Sequence, residues 1–357
     1  MPAWWRFYFT FLMPIGLVFA IHYGGWMVWF VPAWAFGVLP MMDRLVGVNK
    51  HNVPAEEEEK YTRNFGYNSL VLCWPFIQIP IILFALYTVM TGDLLLHEFL
   101  GLALLVGIIT GGLGITWAHE LCHRTNRYER LLAEILLTSV SYAHFSVEHV
   151  YGHHRNVATP GDPATARFGE NFYLFWPRSV IGSFLSAWEI EKAQLKKKGR
   201  PTLDPSNRML RYVVVQIFVY TGVYLIFGPL GALFFLIQAI VAFTLLEAIN
   251  YVEHYGLVRK QLPGGKFEKV QPWHSWNSAS HMSNIALINL ARHSDHHFKA
   301  SRPYQILRHY DEAPQLPLGY GSMLMAAMIP PLWFYVMNPK VKRWQQRYGQ
   351  QEVDVAI

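Results

Sequence analysis

The strongest constraint on this chain is where its basic residues are missing. Its 30 Lys and Arg side chains leave three long stretches of the 357 residues bare: 7–43, 64–123 and 212–258, which run 37, 60 and 47 residues. A helix needs roughly 20 apolar residues to cross a bilayer, and a spanning backbone must satisfy its own hydrogen bonds. Each gap therefore predicts two spanning helices joined by a short turn, six in all. The turns fall near Gly24 and Gly25, at 91–93 and at 228–231, and none carries Lys or Arg. The positive-inside rule then puts the four basic sections, with both termini, in the cytoplasm.

The expected fold class is an all-α integral membrane protein of six transmembrane helices, arranged as three hairpins under a cytoplasmic helical cap. Residues 1–118 hold the first four spans and 119–211 a cytoplasmic section. Residues 212–253 hold the fifth and sixth spans, and 254–357 a second cytoplasmic section with an interfacial C-terminal segment. That last assignment concerns Ala313–Pro339, which is uncharged and long enough to cross. Pro330 and Pro331 interrupt it, and a crossing would export Lys340, Lys342, Arg343 and Arg347, so it reads as interfacial or re-entrant. The aromatic start, Trp4–Phe11, lacks a small-residue cleavage site and reads as retained.

Composition excludes other classes. Charged residues make up 15% of the chain and hydrophobic ones 52%, which rules out a disordered chain. Cys73 and Cys122, an isolated pair, suggest no disulfide framework. The acidic run Glu56–Glu59 is a solvated helix start. The basic residues follow topology and form no groove-reading motif, so nucleic acid is not a partner.

Nine of the 16 histidines stand in spaced groups. His119 and His123 form H-x3-H, His149 with His153 and His154 forms H-x3-HH, His293 with His296 and His297 forms H-x2-HH, and His254 ends the sixth span. Spacings of three and four put side chains on one helix face, while an adjacent pair sends its members toward neighbouring positions. Protonated rings crowded in this way would repel, and metal coordination needs the neutral ring. His22, His51, His97, His144, His274, His281 and His309 lack such spacing and read as structural.

Nine imidazoles exceed the four ligands of one zinc, so two metals fit the count. Ligand type leaves iron, manganese, copper and zinc open, and an open-sited redox pair beside a membrane favours iron. Glu120, Glu148, Glu253 and Asp295 each adjoin a ligand. Neighbours on a helix point about 100° apart, so each acid is expected to orient a histidine through its free ring nitrogen. Counting back from His254 puts Asn250 and Glu247 on the ligand face, and an intramembrane acid such as Glu247 points to a partner or to proton supply. Counting back from His119 puts Ile115, Gly112, Gly111, Ile108 and Leu104 on one face. Its glycines open space for an apolar chain or let two helices pack closely.

Two rivals share parts of this pattern. His119–His123 reads H-E-x-x-H, the zinc-protease helix, but one further ligand would complete such a site and strand about six histidines. A metal carrier or bis-histidine haem protein would spread its ligands along a transmembrane path, whereas these gather at one depth.

The segments HELCHR from His119, EHVYGHHRNVATPGDPATAR from Glu148, NYVEHYGLVR from Asn250 and RHSDHH from Arg292 resemble the transmembrane alkane monooxygenases of the histidine-box desaturase and hydroxylase superfamily. The NYVEHYGL wording separates them from desaturases, which remain the runner-up. The resemblance implies a non-haem di-iron enzyme of the bacterial inner membrane, its two Fe ions held by the nine box histidines. It would hydroxylate the terminal methyl of n-alkanes with O2 and electrons from rubredoxin, itself reduced by rubredoxin reductase. Cys122 and Arg124 stand where a small residue and Lys are frequent in the family. Lys196, Lys197, Lys198, Arg200, Arg208 and Arg211 form one basic stretch that would steer an acidic donor.

Overall fold

The computed structural model describes residues 3–348 and contains no β-strand among them. The expectation of cytoplasmic termini concerns chain ends that lie outside these residues. Among the described residues five helices are long and apolar enough to cross a membrane: α1 (Trp4–Tyr23), α2 (Gly25–Val46), α3 (Phe65–Thr91), α4 (Leu96–Cys122) and a 47-residue helix, Arg208–His254. The last is broken at Gly228, whose φ of 72° and ψ of −176° suit only glycine. Tyr220 and Phe235 stack edge-on with centroids 5.2 Å apart, although a straight helix would separate residues 15 apart by about 22 Å. The chain therefore doubles back at Gly228, giving α7 (208–227) and α8 (229–254).

Between these helices lie α5 (Arg127–Ser139), the helical segment 145–156 and α6 (Phe172–Lys197). After α8 come α9 (His281–Ala286), α10 (His293–Phe298), α11 (Tyr320–Ala327) and α12 (Pro330–Tyr348). The last two meet at 118°, with the break just before Pro330. The bent pair is anchored: Trp333, Met337 and Val341 are fully buried and belong to one cluster with Tyr251 and Tyr255 at the end of α8. Asparagines begin four of the helices. Asn64, Asn126, Asn171 and Asn207 each accept a backbone N–H from the first turn of α3, α5, α6 and α7, which is worth about 1 kcal/mol per cap.

Inside the bundle the helices are tied by a buried polar chain. Trp74 Nε1 donates to Gln78 Oε1 (2.7 Å), Gln78 Nε2 to Ser139 Oγ (2.8 Å), Gln238 Nε2 to the Ser139 carbonyl (3.0 Å) and Thr110 Oγ1 to Gln238 Oε1 (3.0 Å). Such bonds contribute about 1 kcal/mol or less each, but they fix register between α3, α4, α5 and α8. Close approach of α4 to α8 depends on glycine: a Cβ on Gly111 would lie 2.7 Å from the Ala242 carbonyl oxygen. Within α4, residues Thr110–Ile115 form a π-turn, which adds a residue to the turn and rotates everything after it.

Candidate metal centre

Four elements bring the nine histidines to one place. The end of α4 supplies His119 and His123, the segment 145–156 supplies His149, His153 and His154, the end of α8 supplies His254, and α10 supplies His293, His296 and His297. Arg292 secures α10 from outside. Its guanidinium donates to the carbonyls of Leu307 (2.7 Å), His51 (2.9 Å) and Asn49 (3.1 Å).

The rings form two groups, His119, His123, His149, His154 and His296 in one and His153, His254, His293 and His297 in the other, with ligand atoms within 4.8 Å of one another in each. Both adjacent pairs, His153–His154 and His296–His297, split between the groups. Along the larger group, His123, His149, His154 and His296 face one another in sequence through Nε2 atoms 3.0–3.1 Å apart. In the smaller group the Nε2 atoms of His254 and His293 are 3.1 Å apart.

A single ring nitrogen carries one proton or one lone pair, so a run of four cannot be hydrogen-bonded throughout. Nitrogens bound to one ion at about 2.1 Å and at right angles lie about 3.0 Å apart. Both His297 nitrogens and His153 Nε2 are buried with no hydrogen-bond partner among the described residues. Spacing and orphaned donors together fit two metal ions.

Burial makes the rings good ligands. It pushes His123 down to about 4 and holds His149, His154, His293, His296 and His297 well below the usual imidazole range, with neighbouring rings adding to the effect. His153 is the exception. Burial lowers it, but Asp162, Glu148 and Glu247 together outweigh burial and raise it.

The carboxylates do not behave as one class. Glu120 accepts from Arg124 Nε (3.1 Å) and the Tyr304 backbone N–H (3.2 Å). Asp295 accepts from Arg302 (2.5 and 2.6 Å), the Arg308 N–H and Tyr310. Neither bonds a ring nitrogen, so adjacency in sequence gave these two the wrong partner: they neutralise arginines that brace the boxes. Glu253 does approach His293, but at Nε2 (3.1 Å), the nitrogen that faces His254. It therefore lies on the side of the ring that faces His254, with Tyr320 OH donating to its other oxygen (2.6 Å). Glu148 bonds no ring nitrogen either; Ser186 Oγ stands 3.4 Å away. Burial, with Asp162 and Glu247 nearby, pushes its carboxyl above the usual range. Glu148, Glu247 and Asn250 line a small cavity with His149 and His153, and Tyr142 OH donates to Glu247 (2.6 Å).

The carboxylate that does orient a box histidine is Asp162. Its buried Oδ2 pairs with His153 Nδ1 at 2.9 Å and accepts from Thr165 Oγ1 (2.6 Å), while Oδ1 accepts the Ala164 N–H (3.1 Å). Nine residues separate Asp162 from His153, too far for helix periodicity to link them. The only sequence signal is the Pro160–Pro163 turn that follows the second box. Asp162→Asn is expected to weaken metal binding in the four-histidine group by about 10- to 100-fold and to spare the five-histidine group. Iron titration of the purified variant would show this, and two unaltered affinities would exclude the assignment.

Two apolar cavities approach the centre. One, of about 50 Å³, is lined by His119, His149, His293 and Glu253 with Gly111, Ile115 and Leu246. The other, of about 70 Å³, is lined by Ile108, Gly112 and residues of α1, α2, α9 and α11. They share Ile249 and Leu287. The single face expected on α4 is thus divided between two cavities: Gly111 and Ile115 line the one at the histidines, and Gly112 and Ile108 line the second. Leu104 lines neither; it is half-buried against the core.

Residues 95–327 match the fatty acid desaturase family model. The chain belongs to that family. It is 43% identical to alkane 1-monooxygenase 2 of Pseudomonas aeruginosa over 88% of this chain and 84% of the relative. Identity to alkane 1-monooxygenase 2 of Alcanivorax borkumensis is 38%, over 94% and 88%. The alkane 1-monooxygenase of Acinetobacter baylyi is 39% identical, over 92% and 78%. These similarities place the chain in the alkane monooxygenase branch of the family, as the wording of its four segments implied. They count against the zinc-protease reading of H-E-x-x-H, as does the position of Glu120, which is held by Arg124.

Proposed function

We propose that this chain hydroxylates the terminal methyl of medium-chain n-alkanes, RCH3 + O2 + 2 e⁻ + 2 H⁺ giving RCH2OH + H2O, with rubredoxin as electron donor and rubredoxin reductase upstream. The observation that carries the reading is the convergence of two histidine groups on the end of an apolar cavity. Two Fe ions held by His119, His123, His149, His154 and His296 and by His153, His254, His293 and His297 would supply the reductive activation of O2 that an unactivated C–H bond requires.

The chain's own residues do the rest. An alkane offers no polar handle, so binding rests on burial, worth about 0.8 kcal/mol per CH2. The walls from Ile115 and Leu246 to Ile108 provide it. Glu148 and Glu247, beside His149 and His153, are placed to deliver protons. Glu253 is placed to add an oxygen to the four-histidine group.

The proposed topology has six spans in the bacterial inner membrane, in contact with lipid on their outer faces, and puts the histidine-bearing ends in the cytoplasm. Iron analysis of the purified protein together with products formed from octane would test the function. Two irons per chain and 1-octanol are expected, and desaturated acyl chains without alkanol would favour the desaturase.

The donor would dock on the basic stretch. Lys196, Lys197, Lys198 and Arg200 are exposed, whereas Arg208 is committed to Glu191 at 2.6 Å. Reversing Lys196, Lys197 and Lys198 to Glu should cut the rubredoxin association rate by about 10-fold at low salt. The difference should shrink at physiological salt, where the field reaches only about 8 Å. Stopped-flow electron transfer would measure it, and a rate and salt dependence equal to the parent's would remove the stretch from the docking surface.

A further inference from the structure

Behind the metal centre lies a cavity of about 400 Å³ that the hydroxylation reading does not use, within the size range of small-molecule sites. It is bounded by the segment 141–144, by Phe184 of α6 and by residues 209–221 of α7. The segment 141–144 is the wall between the two. Tyr142 lines the small cavity at His149 and His153 and bonds Glu247 (2.6 Å), while Ser141, Ala143 and His144 line the far side. Ser141 holds a left-handed φ of 58°, which turns the backbone so that successive side chains serve different chambers. The mouth is marked by Ile217 and Phe184, exposed by 60% and 37%, and Ile217 lies within three turns of Arg208 at the start of α7.

The lining is mixed in a specific way. Gln216 Nε2 donates to Ser141 Oγ (3.0 Å), and Tyr220 OH stands 3.0 Å from the same oxygen. His144 is 93% buried, and its Nε2 has no hydrogen-bond partner among the described residues. Among the described residues no Lys, Arg, Asp or Glu lines the space, and Tyr212 turns its hydroxyl away to Glu134 (2.7 Å). Burial pushes His144 down to about 3, so the ring is neutral and offers no positive charge to an anion. A carboxylate or ammonium headgroup would lack a counter-charge here, and a bare alkane would leave His144 Nε2 unpaired.

We propose that this cavity binds a neutral long-chain alcohol, with its hydroxyl among Ser141, Gln216 and His144 and its alkyl chain against Phe184, Val213 and Ile217. Two sources carry that chemistry, the chain's own 1-alkanol and a neutral membrane lipid with a free hydroxyl. The first source rests on the hydroxylase reading, but the site itself does not.

Equilibrium binding of labelled 1-dodecanol and dodecanoate to the iron-loaded full chain in lipid nanodiscs tests it without turnover. Saturable binding of dodecanol over dodecanoate is expected, lost in Val213→Trp and weakened about 3- to 10-fold in His144→Phe, with iron content unchanged. Should Val213→Trp fail to fold, Ile217→Trp blocks the exposed mouth with the same expected loss. Dodecanol bound equally by parent and blocked variant, dodecanoate bound as tightly as the alcohol, or a co-purifying phospholipid that dodecanol does not displace would each overturn the proposal. Lipid extraction then separates the sources: an alcohol recovered only after alkane feeding is the product, and a neutral lipid recovered without feeding is the membrane's. Octane conversion measured in parallel reads the hydroxylase assignment independently of binding.

Discussion

Replacing His153 with alanine should remove one of two irons per chain and lower alkane hydroxylation by more than about 100-fold, beyond what loss of an outer-shell partner costs. His153 is one of only four rings in its group, and its Nδ1 is fixed by buried Asp162. The five rings of the other group are intact in the variant, so half the iron should stay bound. Elemental analysis with product assays on one preparation gives both readouts. Two irons retained with full activity would remove His153 from the centre. One zinc per chain with peptide cleavage would revive the protease reading of His119–His123 in spite of the family match.

Gly112→Leu should shift the product profile toward short alkanes while the protein stays folded. A Cβ at Gly112 meets nothing within 4 Å, and the residue borders the second apolar cavity. A leucine there would obstruct a long chain that reaches past Ile249 and Leu287, and overpacking a filled space costs about 1–3 kcal/mol. Dodecane turnover should therefore fall by about 5- to 150-fold relative to octane, as competition assays would show. Gly111→Leu is the contrast, because its side chain would strike the Ala242 backbone, so folded protein and activity toward every chain length should fall together. A uniform loss in Gly112→Leu would place the alkane elsewhere.

The two glycines also show where sequence reading stops. An α-helical count puts Gly111 and Gly112 on one face and leaves open whether they make space or close packing. The structure gives one answer for each: Gly111 lies against Ala242 of α8, and Gly112, about 100° further round the helix, borders open space. The same limit applies to the acids. Glu120 and Asp295 sit beside histidines in sequence but pair with Arg124 and Arg302, and Asp162 sits apart in sequence but pairs with His153.

What the sequence by itself determined was set by local, periodic or compositional physics. The absence of basic residues marked the apolar helices, because charge is costly in lipid and spacing along a helix is fixed. The length of the third bare stretch marked a reversal at 228–231, because one span uses only about 20 of its 47 residues. The three- and four-residue spacing of the boxes marked metal binding, because it puts rings on one helix face. Tertiary structure alone decided which five and which four histidines share a group, and which carboxylate orients a ring. It also decided that residues 141–144 divide the metal centre from a second chamber. Each depends on side chains from distant segments meeting in three dimensions, and no spacing along the chain encodes the angle at which α4, α8 and α10 converge.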